Sequence, residues 1–162
     1  MIKMSTRSTY AIRALTFLAR GGPNDQVRLS VIAETQGIPL PYLEQIFSKL
    51  KKAGLVKAVR GPQGGYKLAK EPDRISLADI VNTLEGPQQP VLCSMPENRS
   101  PDCHKVDGCM SRILCCELDG EISRVLSKNN LGTLCREAER LSQSHNPKWE
   151  KVGVINARPA QG

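Results

Sequence analysis

The chain has 162 residues, two fifths of them apolar, and a formal charge of +7. That length allows one globular domain, or a small domain with an appendage. No apolar run approaches the ~18 residues of a membrane span. Met1 to Tyr10 is polar and lacks the apolar stretch of a secretion signal, so the expected location is the cytoplasm, with no membrane partner. The charge is lopsided: residues 1–75 hold 13 Lys/Arg and 5 Asp/Glu, residues 76–162 hold 10 and 11. A basic front half joined to a near-neutral back half suits a polyanion, although a solubilising surface would read the same way. Six cysteines in a chain of this kind bind metal, sense redox state or pack more often than they form disulfides.

Thr6 to Arg20 is rich in Ala, Leu, Ile and Phe and ends at Gly21-Gly22-Pro23, which predicts a core helix with a sharp stop. A short helix follows, with Ser30 as N-cap, Thr35 near its end and Gly37 as its stop. Ile38-Pro39-Leu40-Pro41 makes a tight connection, with Pro41 at the first position of the next helix. That helix runs to about Ala53, and Leu43, Ile46, Phe47 and Leu50 form its apolar stripe. Its outward face carries Tyr42, Glu44, Gln45, Ser48, Lys49, Lys51 and Lys52. These are donors and acceptors for base edges and cations for phosphates, so the pair reads as a helix-turn-helix.

Leu55 to Arg60 reads as a strand and Tyr66 to Ala69 as its return. Gly61-Pro62-Gln63-Gly64-Gly65 lies between them, where glycines permit a positive φ. Arg60 flanks the tip and Lys67 follows it. A helix-turn-helix followed by a basic hairpin is a winged helix, whose tip can lie against a phosphate backbone. The alternative is an ordinary hairpin over a core. The fold class is therefore mainly α with a small β-hairpin: a winged helix-turn-helix head in residues 1–86 plus a long dimerisation helix.

Ser76 and Asp79 resemble a capping box opening a helix over Leu77, Ile80, Val81 and Leu84, which stops at Gly86. Residues 87–108 read as an irregular loop. A long helix spans about Cys109 to Lys128, striped by Leu114, Leu118, Ile122 and Val125, and a last helix runs from Leu131 to Leu141. Together they form a unit over 109–144, and residues 145–162 read as a disordered tail. An amphipathic helix outside a small head needs a cover, which a second copy supplies. A twofold dimer offers two recognition helices to two half-sites of DNA.

Cys93, Cys103 and Cys109 lie in or beside the loop among polar, Gly and Pro neighbours. Loops let several thiolates converge on one centre. The gaps of nine and five residues are not the paired knuckles of zinc ribbons. Three thiolates with one other ligand suit an iron–sulfur cluster. Cys115, Cys116 and Cys135 fall in apolar helical settings and read as packing residues.

With these residues in view, the chain resembles the IscR-type branch of the Rrf family of bacterial regulators over Met4 to about Leu141. The resemblance rests on Pro41-Tyr42-Leu43-Glu44-Gln45-Ile46-Phe47, Gly54-Leu55-Val56, Arg60-Gly61-Pro62-Gln63-Gly64-Gly65-Tyr66, the cysteine loop and Asn130-Leu131-Gly132. It implies a homodimer of winged-helix heads joined through the helix from Cys109. It also implies binding to a double-stranded DNA operator and sensing of iron–sulfur status, nitric oxide or redox state. By similarity, Arg7 lies near phosphates, Glu44 tunes sequence preference, and Arg60 and Gly61 touch DNA. The implied cofactor is an iron–sulfur cluster, [2Fe–2S] with [4Fe–4S] as the alternative, and RNA polymerase is a further candidate partner.

Two departures stand out. The family pattern has a histidine where this chain has Arg112, and its first cysteine gap is shorter. The fourth ligand stays open among His104, Asp102, Asp107, Cys115, Cys116, a partner residue and an external thiol. Two other functions compete with cluster sensing. One is a thiol or nitric-oxide responsive repressor without a cluster, with Lys105 and Arg112 supplying positive charge near the thiols. The other is an iron–sulfur carrier. Two histidines, no Gly-rich phosphate loop and no Ser-His-Asp-like grouping argue against an enzyme.

Overall fold

The computed structural model describes residues 4–21, 26–61, 64–86 and 109–143. Helix α1 spans Thr6–Arg20, as its composition predicts, and Ser5 caps it by accepting from the Ser8 amide. Helix α2 is Leu29–Gln36, and Gly37 closes it in the left-handed region at φ 61. Its N-cap is Arg28, not Ser30. The start moves because Val27 pairs with Tyr66 through two backbone hydrogen bonds of 2.9 and 2.8 Å, which holds the chain extended up to the helix.

Helix α3 covers Leu40–Lys52 with Pro39 as N-cap, so Pro41 sits in the second helical position rather than the first. That place is equally free of an intrahelical N–H partner, and proline costs nothing there. Leu43, Ile46, Phe47 and Leu50 are all buried, each worth about 1.5–3 kcal/mol of hydrophobic stabilisation. Strand β1 (Val56–Val59) pairs antiparallel with β2 (Gly65–Leu68); β1 is one residue shorter at each end than the sequence reading, and β2 has the expected length but begins and ends one residue earlier. The inward Tyr66 ring meets Phe47 edge-on with centroids 5.1 Å apart. A single 3-10 turn at Pro72–Arg74 leads to α4 (Leu77–Glu85), which opens with the expected Ser76–Asp79 capping box.

Helix α5 is Met110–Lys128 and α6 is Leu131–Gln143. Their junction is stitched to the start of α4: the Leu77 amide donates to the Asn129 carbonyl, and the Leu131 amide to that of Ile75, both at 2.9 Å. Leu131 is fully buried in the same core as α1, α3 and α4. Helix α6 packs on α1 and on the 3-10 turn, whereas α5 packs on α4. Met110, Ile113, Leu114, Leu118 and Val125 remain exposed along α5, Met110 at 76% and Leu114 at 57%. The segment 87–108 and the tail 145–162 lie outside the described residues.

Candidate nucleic-acid interface and cysteine site

On α3 the exposed strip is Glu44, Gln45 and Ser48, with Lys52 beyond it, flanked by Lys49 on one side and Lys51 on the other. A helix buried by four residues on one side must present this polar set on the other. Tyr42 lies at the margin of this strip. It is half-buried, one turn before Ile46 on the edge of the apolar face, and its ring meets Tyr10 edge-on at 5.9 Å.

The wing leaves α3 without slack. The Gly54 amide donates to Lys51 O at 3.0 Å and the Leu55 amide to Leu50 O at 2.9 Å. This fixes the direction of β1 from the end of the helix. Arg60 and Gly61 are exposed at the tip. The glycines there serve two purposes. Gly61 takes a positive φ of 129, as the sequence suggests. Gly64 and Gly65 do not; they are small because backbone crowds them. A Cβ at Gly65 would lie 2.5 Å from Val27 O, and one at Gly64 2.5 Å from Val59 O.

Helix α1 is held by two arginines. Arg7 donates to Leu84 O at 3.3 Å, and Arg13 donates to Gln36 O while its guanidinium lies 5.8 Å from the Tyr10 ring centroid. Each guanidinium thus meets the carbonyl end of a neighbouring helix, where positive charge is favoured. Arg7, expected near phosphates, is half-buried and partly committed to α4. Tyr10 and Arg13 fall within the segment that composition alone assigns to a core helix. Their spacing with Arg7, one residue in three, marks a polar edge on α1 that was available in the sequence.

Of the three loop cysteines, Cys109 alone lies among the described residues. It is the N-cap of α5, half-buried, and its thiol makes no capping hydrogen bond. Cys93 and Cys103 fall outside, as do His104, Asp102, Asp107 and Lys105. Arg112 occupies the first turn of α5. Among the described residues no group of three or more His, Cys, Asp or Glu is placed to hold a metal ion. Cys135 sits half-buried with its sulfur 3.9 Å from Thr16 O, and burial, then the nearby Glu139, pushes its thiol pKa up. Cys116 is exposed, contrary to its reading as a packing residue. Its apolar neighbours Ile113, Leu114 and Leu118 are exposed as well, so apolar company in sequence does not bring burial on α5.

A helix-turn-helix whose second helix exposes a polar strip, continued by a basic two-stranded wing, defines a winged-helix DNA-binding transcription regulator. No described helix is long and apolar enough to cross a membrane. The Rrf2 family, described as an iron-dependent transcriptional regulator, matches residues 4–137, and the chain belongs to that family. Among its relatives is the HTH-type transcriptional regulator IscR of Xenorhabdus nematophila. It is 32% identical over 160 residues, 99% of this chain and 95% of that one. IscR of Aliivibrio salmonicida is 35% identical over 90% of this chain and 85% of its own. Among solved structures, IscR of T. potens superposes with a TM-score of 0.73 at 34% identity, covering 91% of this chain and 96% of that one. The global cysteine regulator CymR of B. subtilis gives 0.70 at 35%, covering 85% and 98%. The relatives are transcription regulators, not enzymes.

Proposed function

We propose that the chain is a homodimeric, cytoplasmic repressor that senses iron–sulfur cluster status and controls cluster-biogenesis or related genes. One observation carries the reading. Cys109, whose thiol makes no capping hydrogen bond and no disulfide among the described residues, caps the very helix whose apolar stripe lies uncovered. Whatever binds at Cys109 therefore acts at the root of the surface that a second copy would cover. Residues 1–86 serve as the DNA-binding head, 87–108 as the cluster segment and 109–144 as the dimer-forming part, with Leu131 anchored in the head.

Cys93, Cys103 and Cys109 are the proposed cluster ligands, since thiolates are the donors that iron–sulfur clusters take. A [2Fe–2S] form is favoured by three thiolates with one different ligand. The cluster supplies a redox- and oxygen-sensitive group whose presence or loss can be read. The chain's own residues do the rest. Glu44 and Gln45 face base edges, Lys49 and Lys51 flank them toward the two phosphate strands, and Tyr42 steadies the entry of the helix. Arg60 and Gly61 place the wing tip at the backbone, and Arg7 contacts a phosphate from the end of α1. RNA polymerase is the partner through which occupancy of a promoter would be felt.

An anaerobic iron and sulfide assay with an absorption spectrum tests the ligand set. Visible bands and bound iron should vanish in Cys93→Ala, Cys103→Ala and Cys109→Ala and survive in Cys135→Ala. Protein kept free of oxygen throughout and holding no iron would defeat the cluster reading and favour the thiol switch.

A further inference from the structure

Strand pairing puts Lys57 directly opposite Lys67. The inner face of the hairpin is set by Val56 and Leu68, both buried, and by Tyr66 on Phe47. Side chains alternate along a strand, so Lys57 and Lys67 share the outer face. Lys57 is exposed and Lys67 half-exposed. Directly opposed side chains on one face lie about 4.5–5.5 Å apart at Cβ, and like charges there destabilise the pairing. Among the described residues neither lysine has an ion-pair partner, and the exposed Glu71 just past β2 pairs with neither. The next exposed cations are Arg60 at the tip and Lys70 just past β2.

We propose that Lys57 and Lys67 form a phosphate clamp on the wing, which grips the DNA backbone outside the stretch read by α3. The inference rests on the DNA-binding reading above and extends it to a second, sequence-independent contact. Two cations held side by side by backbone pairing repel one another, and an anion bound between them relieves that repulsion. A nucleic-acid backbone offers that charge at regular spacing, with the wing already directed to it by Arg60. The clamp contributes affinity and register and no base preference.

The test is the salt dependence of binding by the full-length protein to an operator obtained by selection from random duplexes, and to an unrelated duplex. Each phosphate contact contributes about 0.9 to the slope of log affinity against log salt. The Lys57→Gln/Lys67→Gln double variant should lower the slope by about 1.8 on both duplexes, leave their affinity ratio unchanged, and melt no lower than wild type. Lys57→Arg/Lys67→Arg should restore the slope. An unchanged slope in the Gln variant, with wild type binding its operator, overturns the clamp and spares the DNA-binding reading. A change in the affinity ratio without a change in slope also overturns it. Wild type that selects no duplex at all overturns both.

Discussion

Ser8, fully buried in the first turn of α1, donates its hydroxyl hydrogen bond to the carboxylate of Glu85, the last residue of α4. Ser5 donates to the same oxygen at 2.5 Å. The N-terminus of α1, which favours negative charge, is thereby latched to the helix end from which the cysteine-bearing segment departs. Ser8→Ala removes one hydrogen bond to a charged group without leaving a buried polar atom behind. It should cost about 1–2 kcal/mol, seen as a lower urea midpoint at unchanged m-value. A midpoint equal to wild type would show the latch to be energetically silent.

Gly65→Ala tests why the wing needs glycine. The added methyl carbon meets the Val27 carbonyl, which is itself bonded to the Tyr66 amide. No flexible side chain can yield, so the backbone pairing must open. The expected loss is about 1–3 kcal/mol, in line with other overpacked sites, together with weaker DNA binding and a lower salt slope, since the contacts assigned to the wing are to phosphates. Retained stability would mean that the hairpin can shift as a unit.

Asp73 and Arg136 pair at 2.9 Å on the surface where α6 meets the 3-10 turn. The Arg136 hydrogen bond holds the Asp73 carboxyl below its ordinary pKa. A depressed folded-state pKa stabilises above the unfolded value and is lost as pH falls through the folded one. The difference in unfolding midpoint between wild type and Arg136→Ala should therefore be present at neutral pH and vanish in acid below the carboxylate range. Because both side chains are exposed, the difference should be small and weaken with salt. A difference that persists unchanged at low pH would assign it to packing instead.

The accessible thiols should be distinguishable by alkylation. Cys116 is exposed, while Cys135 is half-buried with a raised pKa. Since the thiolate is the nucleophile, native protein treated with iodoacetamide near neutral pH should be modified at Cys116 well before Cys135. Mass mapping of the alkylated peptides reads the order; equal rates would place α6 in frequent local opening.

Leu118→Glu puts a charge into the exposed stripe of α5. Sedimentation should show wild type as a dimer and the variant largely as monomer, with a normally folded head because Leu118 contributes nothing to the buried core. A variant that remains dimeric would move the interface off α5.

Most local features were legible because local chemistry decides them. Thr6–Arg20 was bounded by composition and a glycine stop, the α3 stripe by its spacing, and the start of α4 by a capping box. What escaped depends on residues distant in sequence. Ser30 looks like a cap, but pairing of Val27 with Tyr66 sets where α2 begins. Tyr42 looks outward on a helical wheel, but Tyr10 waits beside it. Gly64 and Gly65 look like turn residues, but approaching carbonyls explain them. Glu44, Gln45, Lys49, Lys51 and Arg60 are identifiable as polar or basic positions of the helix-turn-helix and hairpin, Arg7 and Gly61 enter through the family resemblance, and the Ser8–Glu85 latch carries no sequence signal.

The most direct measurement is the affinity of the dimer for selected operators, taken anaerobically with the cluster bound and again after its removal. Coupling requires that the cluster favour one DNA-reading state over the other. Affinities that separate by several-fold on at least one operator, with the difference abolished in Cys109→Ala, are the predicted result. Identical affinities across several operators would contradict cluster sensing and leave a DNA-binding regulator whose signal enters elsewhere.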